Sequence, residues 1–143
     1  METNLRAPFV LMQGLAAQLP ERAEAVVINI LDERVLSLTP HFISYTVSKA
    51  GLWTLTQTMA LALAPRIRVV GIGPGPTLPS PRQSPAQFAR QAGSMPLNRG
   101  ASPDEVVAAV RFILGARSMT GTIVMLDSGQ HLAWSWSGAA NQE

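Results

Sequence analysis

Cysteine is absent from this 143-residue chain. Its absence excludes disulfides, thiolate catalysis and zinc–thiolate centres, and it suits a reducing compartment. Charge is also scarce: charged residues make up 14% of the chain and the net charge is +2. The arginines are scattered rather than clustered, so the chain shows no basic footprint for nucleic acid. No apolar run approaches the ~20 residues needed to span a bilayer. The opening Met1-Glu2-Thr3-Asn4 is polar and lacks the apolar core of a secretory signal. A cytoplasmic protein with no membrane contact is expected. His41 and His131 lie far apart with no carboxylate pattern around them, which argues against a metal site.

Hydrophobic residues, by contrast, form 47% of the chain, enough for one domain with a real core. Residues 5–19 place Phe9, Val10, Met12, Leu15, Ala16 and Leu19 at the spacing of an amphipathic helix closed by Pro20. Residues 25–31 form a β-branched run without alternation, as in a strand buried on both faces of a parallel sheet. A charge-poor helix over 43–63 follows, most of whose surface should be packed against something. A second strand over 66–72 ends in Gly73-Pro74-Gly75-Pro76, a turn sequence. Residues 76–98 read as a long Pro- and Ser-rich connection with a weak helical patch at 85–91, of the kind that serves as a lid. Ser102-Pro103-Asp104-Glu105 carries the signature of a capped helix start, and that helix should stop at Gly115. A third strand covers 122–126, and the tail 133–143, with Trp134 and Trp136, is assigned no structure. Alternating strands and helices imply an α/β fold of about three parallel strands with flanking helices, joined by right-handed crossovers. Its hydrophobic first strand makes a poor exposed edge and should be covered.

Tyr45 and Lys49 are the only tyrosine and the only lysine. Four residues apart on a helix, they share one face. A phenol of pKa near ~10 is a poor acid–base group at neutral pH. A nearby ammonium can lower that value by about 1–3 units, toward the useful range.

The context of this pair resembles the short-chain dehydrogenase/reductase family. Tyr45-Thr46-Val47-Ser48-Lys49-Ala50-Gly51-Leu52 is similar to its Tyr-x-x-x-Lys segment, and Asn29 lies in the preceding strand as in that family. Arg68-Val69-Val70-Gly71-Ile72-Gly73-Pro74-Gly75 resembles the strand that ends in Pro-Gly. Asn4-Leu5-Arg6-Ala7-Pro8-Phe9 is similar to the Asn-Leu-x-x-x-Phe helix, and Leu126-Asp127-Ser128-Gly129-Gln130 to the closing strand and turn. These segments fall in the family's order and cover nearly the whole chain. The resemblance implies that Tyr45 moves the proton, while Lys49 binds the nicotinamide ribose and depresses the tyrosine pKa. It implies that Asn4 holds a water in the proton relay, although an asparagine before a helix is also a favoured cap. Pro74 and Gly75 would lie beside the nicotinamide.

One departure narrows the reading. Thirteen positions before the tyrosine, where most members carry serine, this chain has Asp32. The pteridine reductases and dihydromonapterin/dihydrofolate reductases of the superfamily resemble it there. A carboxylate can accept a hydrogen bond from a phenol and can carry a proton, which suits reduction of a ring C=N bond; a strand-end turn aspartate is the plainer account. Thr77 falls where a hydroxyl could meet the cofactor phosphates. Arg34 could touch a substrate, although a solvated loop arginine is the ordinary expectation.

The family's nucleotide-binding half carries a Thr-Gly-x-x-x-Gly-x-Gly turn, and no such motif occurs in this chain. The resemblance therefore implies the C-terminal, catalytic half of a Rossmann-like doubly wound sheet over residues 1–132, without the nucleotide-binding half. Two functions follow. One is an NADP(H)-dependent reductase, with NAD(H) possible, acting on a pterin- or folate-like small molecule, oligomerising through the helix at 43–63 and active only when joined to the nucleotide-binding half. The other is a non-catalytic fragment that serves as an oligomerisation module.

Overall fold

The computed structural model describes residues 1–132; the tail at 133–143 lies outside them, as do Trp134 and Trp136. The chain opens with a π-helical turn, Glu2–Arg6, that runs directly into α1, Ala7–Gln18. Then come β1 (Ala25–Ile30), a 3-10 turn at Glu33–Val35, α2 (Ile43–Leu63) and β2 (Ile67–Pro74). The chain continues through α3 (Pro85–Gly93), α4 (Pro103–Gly115) and β3 (Ile123–Leu126) to a closing 3-10 turn, Gln130–Leu132.

The three strands form one parallel sheet in the order β1-β2-β3. Ala25 pairs with Ile67 and Ile30 with Ile72, while Gly71 pairs with Ile123 and Pro74 with Leu126. Alternation along the strands divides the apolar side chains between two layers. On one face Val27, Ile67 and Val69 meet Met12 of α1 and Met59 and Ala60 of α2. On the other Ile28, Val70, Ile72 and Val124 meet Ala109 and Ile113 of α4. Each large side chain removed from water contributes roughly 1.5–3 kcal/mol, so the central strand, fully buried at Val69, Val70 and Ile72, anchors both layers.

This arrangement corrects one expectation. Both connections step across the sheet in the same direction, yet α2 and α4 cover opposite faces. Two such crossovers must have opposite hands, so they are not both right-handed. The rule depends on a strand feeding its helix directly, as β1 nearly does with α2. Between β2 and α4 the chain travels through α3 first, which loosens that constraint.

Two helices also differ from expectation. The stretch at 76–98 holds a well-formed α3, whose Ser84 and Gln87 make a reciprocal capping box like that of Ser102 and Glu105 at α4. α1 is not amphipathic: Met12 is buried, but Phe9, Val10 and Leu11 face outward. α2 likewise buries Leu52, Thr56, Met59 and Ala60 and leaves Ile43, Val47 and Leu61 exposed. The apolar outer surface of both helices is thus unpacked within the described residues, and β1 pairs on one side only.

Candidate active site

The candidate site residues gather at the C-terminal ends of β1 and β2, where open parallel sheets usually place their ligand sites. After β1 the backbone of Leu31 stays in the ladder by donating to the Ile72 carbonyl at 2.7 Å. Its side chain crosses β2 at Gly71, where a Cβ would collide with it. This packing fixes where the next three residues, Asp32, Glu33 and Arg34, leave the sheet.

Asp32 caps the 3-10 turn by accepting from the Arg34 backbone N–H at 3.0 Å. The Arg34 guanidinium returns to the same carboxylate, with Nη1 at 3.1 Å from Oδ1 and 3.3 Å from Oδ2. The same Nη1 lies 3.6 Å from Oε1 of Glu33, whose side chain is buried. Above them α2 presents Tyr45, which donates to Asp32 Oδ2 at 2.8 Å. The Arg34 guanidinium sits 5.7 Å from the Phe42 ring centroid and 5.9 Å from that of Tyr45, within cation–π range. Arg34 is therefore a structural bridge and not a solvated loop arginine.

Lys49 lies one turn along α2 and donates to the Ile30 carbonyl at 2.8 Å. Among the described residues this is the one hydrogen bond its three donors make. Asn4 does not cap α1. It sits inside the π-helical turn and donates to Ser48 Oγ at 3.2 Å, and Ser48 in turn donates to the Tyr45 carbonyl at 2.7 Å. Asn29 is buried and donates to Thr56 Oγ1 at 2.9 Å, tying β1 to α2. The strand conformation of β2 continues through Pro74, and Thr77 folds back to donate to the Gly75 carbonyl at 3.0 Å. Tyr45, Asp32, Gly75 and Thr77 line one cleft of about 570 Å³, closed on its far side by Phe88 and the glutamines of α3.

The electrostatics reverse one expectation. Tyr45 is pushed above the ordinary phenol value, first by burial and then by its hydrogen bond to Asp32 and the charge there. Lys49 does not lower it, because the carboxylate touches the hydroxyl whereas Nζ lies 5.8 Å from the ring centroid and is tethered to Ile30. Burial lowers the Lys49 pKa itself, partly countered by Asp32. For Asp32, burial pushes upward. Hydrogen bonds from Glu33, the Arg34 backbone and Tyr45, with the Arg34 charge, outweigh it and hold the pKa below the usual carboxylate value. Glu33 moves the other way: burial, then its hydrogen bond with Asp32 and the charge there, raise it to about 8. At neutral pH the two neighbouring acids thus differ in charge, Asp32 ionised and Glu33 protonated.

Glu33 had no place in the sequence reading, although Asp-Glu-Arg is a dense charge cluster in a chain so poor in charge. His131 also has a carboxylate neighbour after all. Its Nδ1 lies 2.7 Å from Oδ2 of the buried Asp127, which also accepts from the backbone of Gly129 and His131.

A family model described as enoyl-(acyl carrier protein) reductase matches residues 1–131. The chain is 48% identical to FolM alternative dihydrofolate reductase 1 from Brucella suis, solved in complex with NADP; the TM-score is 0.92, covering 96% of this chain and 56% of that one. The Brucella canis protein of the same name, also complexed with NADP, gives 48% identity and a TM-score of 0.91, covering 96% of this chain and 55% of that one. Protein FixR of Bradyrhizobium diazoefficiens is 38% identical over 132 residues, which are 90% of this chain and 47% of that protein. The chain spans about half the length of the curated relatives it matches. It belongs to the short-chain dehydrogenase/reductase family.

Proposed function

We propose that this chain supplies the proton-delivering half of an NADPH-dependent reductase acting on the ring C=N bond of a pterin- or dihydrofolate-like substrate. The observation that carries the reading is the 2.8 Å hydrogen bond from Tyr45 to Asp32 at the mouth of the cleft. It keeps the phenol protonated and fixes it where a ligand would enter. The likeness to NADP-bound FolM proteins supports both the cofactor and the substrate class.

The residues present fit a nicotinamide dinucleotide. Lys49 keeps donors for a ribose diol beyond the one given to Ile30. Gly75 lines the cleft and packs so closely on the turn after β3 that a Cβ would press to 2.8 Å from the Asp127 Cα. Gln130 Oε1 is buried on the cleft wall without a donor among the described residues, and a ligand N–H would satisfy it. When bound, the dinucleotide supplies the hydride. Tyr45 holds and gives up the proton at Oη, Asp32 orients that hydroxyl, and Asn4 supports the helix turn beneath it through Ser48. Thr77 hydroxyl, on the same cleft wall, would meet the cofactor's phosphate end. The exposed apolar faces of α1 and α2 would seat a second copy of the protein.

The test is NADPH oxidation with dihydrofolate or a dihydropterin by this chain joined to a nucleotide-binding half, for the parent and Tyr45→Phe. Removing a general acid costs about 10²–10⁴-fold, so the variant should lose at least a hundredfold in kcat while still folding. Equal rates in parent and variant would remove Tyr45 from the reaction. Dinucleotide binding without turnover of either substrate would refute the pterin assignment.

A further inference from the structure

We infer that Glu33 is the proton store behind Tyr45: its buried carboxyl holds a proton that passes to Asp32, and from Asp32 to Tyr45, when Tyr45 gives its own to the substrate. This rests on the reductase reading above and deepens it.

The geometry leads there from a difficulty in the site itself. Tyr45 donates to a carboxylate. If it lost its proton, a phenolate would stand 2.8 Å from an ionised Asp32, two like charges in a half-buried place. A tyrosine so placed is well protonated but reluctant to let go. The cost disappears if Asp32 gains a proton in the same event. The groups placed to give one are few. Arg34 stays charged throughout, and Lys49 gives its one hydrogen bond among the described residues to the Ile30 carbonyl rather than to Asp32. Glu33 is 4% exposed, lines the same cleft and shares the Arg34 guanidinium with Asp32. Its Oε1 and Asp32 Oδ1 face the same Arg34 nitrogen, at 3.6 and 3.1 Å.

Glu33 is buried, and its 3-10 turn packs against α2 and the closing turn at Gln130–Leu132. The titratable groups on those elements are Tyr45 and Lys49 from α2, and His131, itself engaged with Asp127; Asp32 and Arg34 flank it on its own turn. Of these, Asp32 raises the Glu33 pKa and the Arg34 guanidinium, 3.6 Å from Oε1, lowers it, and burial with Asp32 prevails. Glu33 thus stays protonated up to about pH 8.

The step balances without an added reactant. The Tyr45 Oη–H bond breaks as an N–H bond forms on the substrate. The Glu33 carboxyl proton moves to Asp32, and the Asp32 proton closes a new O–H bond on Tyr45. Glu33 is left as a carboxylate facing the Arg34 guanidinium, which stabilises it until water returns the proton. Electrons move only in the hydride transfer from the dinucleotide. Glu33 acts through Asp32 and is a positioning residue in this scheme.

The experiment compares the parent with Glu33→Gln, which keeps size and polarity but has no titrating proton. First, glutamate carboxyl carbons are titrated by NMR. One resonance should show a midpoint near 8 and vanish in the variant; a Glu33 midpoint in the ordinary carboxylate range overturns the proposal. Second, kcat and KM are followed against pH with NADPH and dihydropterin. The parent should lose kcat as pH rises through about 8. Glu33→Gln should lack that limb and lose roughly tenfold to a hundredfold in kcat with little change in KM, a share of a general-acid effect. An unchanged profile in the variant overturns the relay even if the titration is as expected. If the parent, joined to a nucleotide-binding half, shows no turnover at all, the reductase reading fails, and the NMR midpoint alone decides whether Glu33 holds the proton.

Discussion

The sheet has a cleft at each end, and the two are similar in size and both rich in arginine. The one at the N-terminal ends of the strands measures about 460 Å³ and that at the C-terminal ends about 570 Å³. At the N-terminal end the arginines are spent on backbone. Arg66 Nη2 donates to the carbonyls of Leu19 and Pro20, closing the end of α1. Arg68 donates to the carbonyls of Ile113, Ala116 and Met119, which satisfies the otherwise unpaired C-terminus of α4. Arg117 meets only the exposed Glu24. At the C-terminal end Arg34 bridges two acids of unequal charge, one of which, Asp32, accepts from a phenol. Cleft size therefore says little about where chemistry resides. The difference lies in whether the polar groups end in carbonyls, which hold no exchangeable proton, or in a chain of groups that can pass one.

Substitutions at the two ends should separate these roles. The largest effect is expected from Asp32→Asn. It removes the charge that helps hold the Tyr45 proton, so the pKa of the sole tyrosine should fall, though not fully to the ordinary value because burial remains. Phenolate absorbance reports it directly, since no other tyrosine contributes. In the reductase assay the same variant should lose about a hundredfold in turnover. A tyrosine titration identical to the parent would mean that Asp32 does not control the phenol.

Arg68→Met should cost about 2–3 kcal/mol in urea unfolding, the loss of charged donors to three carbonyls. It should leave the Tyr45 titration untouched; a shift there would mean that the two ends are coupled. Glu33→Gln should act on stability increasingly as pH rises above about 4.5. Because Glu33 titrates higher in the folded than in the unfolded chain, the parent's stability declines as pH rises from about 4.5 to about 8. The variant escapes that decline. It should match the parent near pH 4 and exceed it at pH 9 by on the order of 2 kcal/mol, below the full shift because the two acids titrate together. A parent curve flat across that window would contradict a buried, protonated Glu33. The smallest effect belongs to Arg117→Ala, which breaks an exposed pair and should change stability by no more than about 0.5 kcal/mol.

Much of this layout was legible in the residues. A 3.6-residue period placed Tyr45 and Lys49 on one face of α2, and its limits at Ile43–Leu63 fall where the pattern placed them. The three strands stand in the expected segments because β-branched runs bounded by turn residues have few other uses. Ser84 and Gln87 carried the same capping signal as Ser102 and Glu105. It was passed over because prolines and serines around α3 read as loop.

What the sequence by itself determined was local: which segments are helix or strand, where they stop, and which side chains share a face. These depend on periodicity and on neighbours a few residues away. Tertiary structure alone decided the rest. The opposite hands of the two crossovers depend on which face each helix covers. The direction of the Tyr45 pKa depends on Asp32 reaching the hydroxyl before Lys49 does. Arg34 reads in the sequence as a solvated loop arginine and nothing there marks Glu33, because a four-residue turn does not show what will pack over it. That turn packs against α2 and the closing turn at Gln130–Leu132, and burial converts a charged triplet after a strand into a proton-holding site.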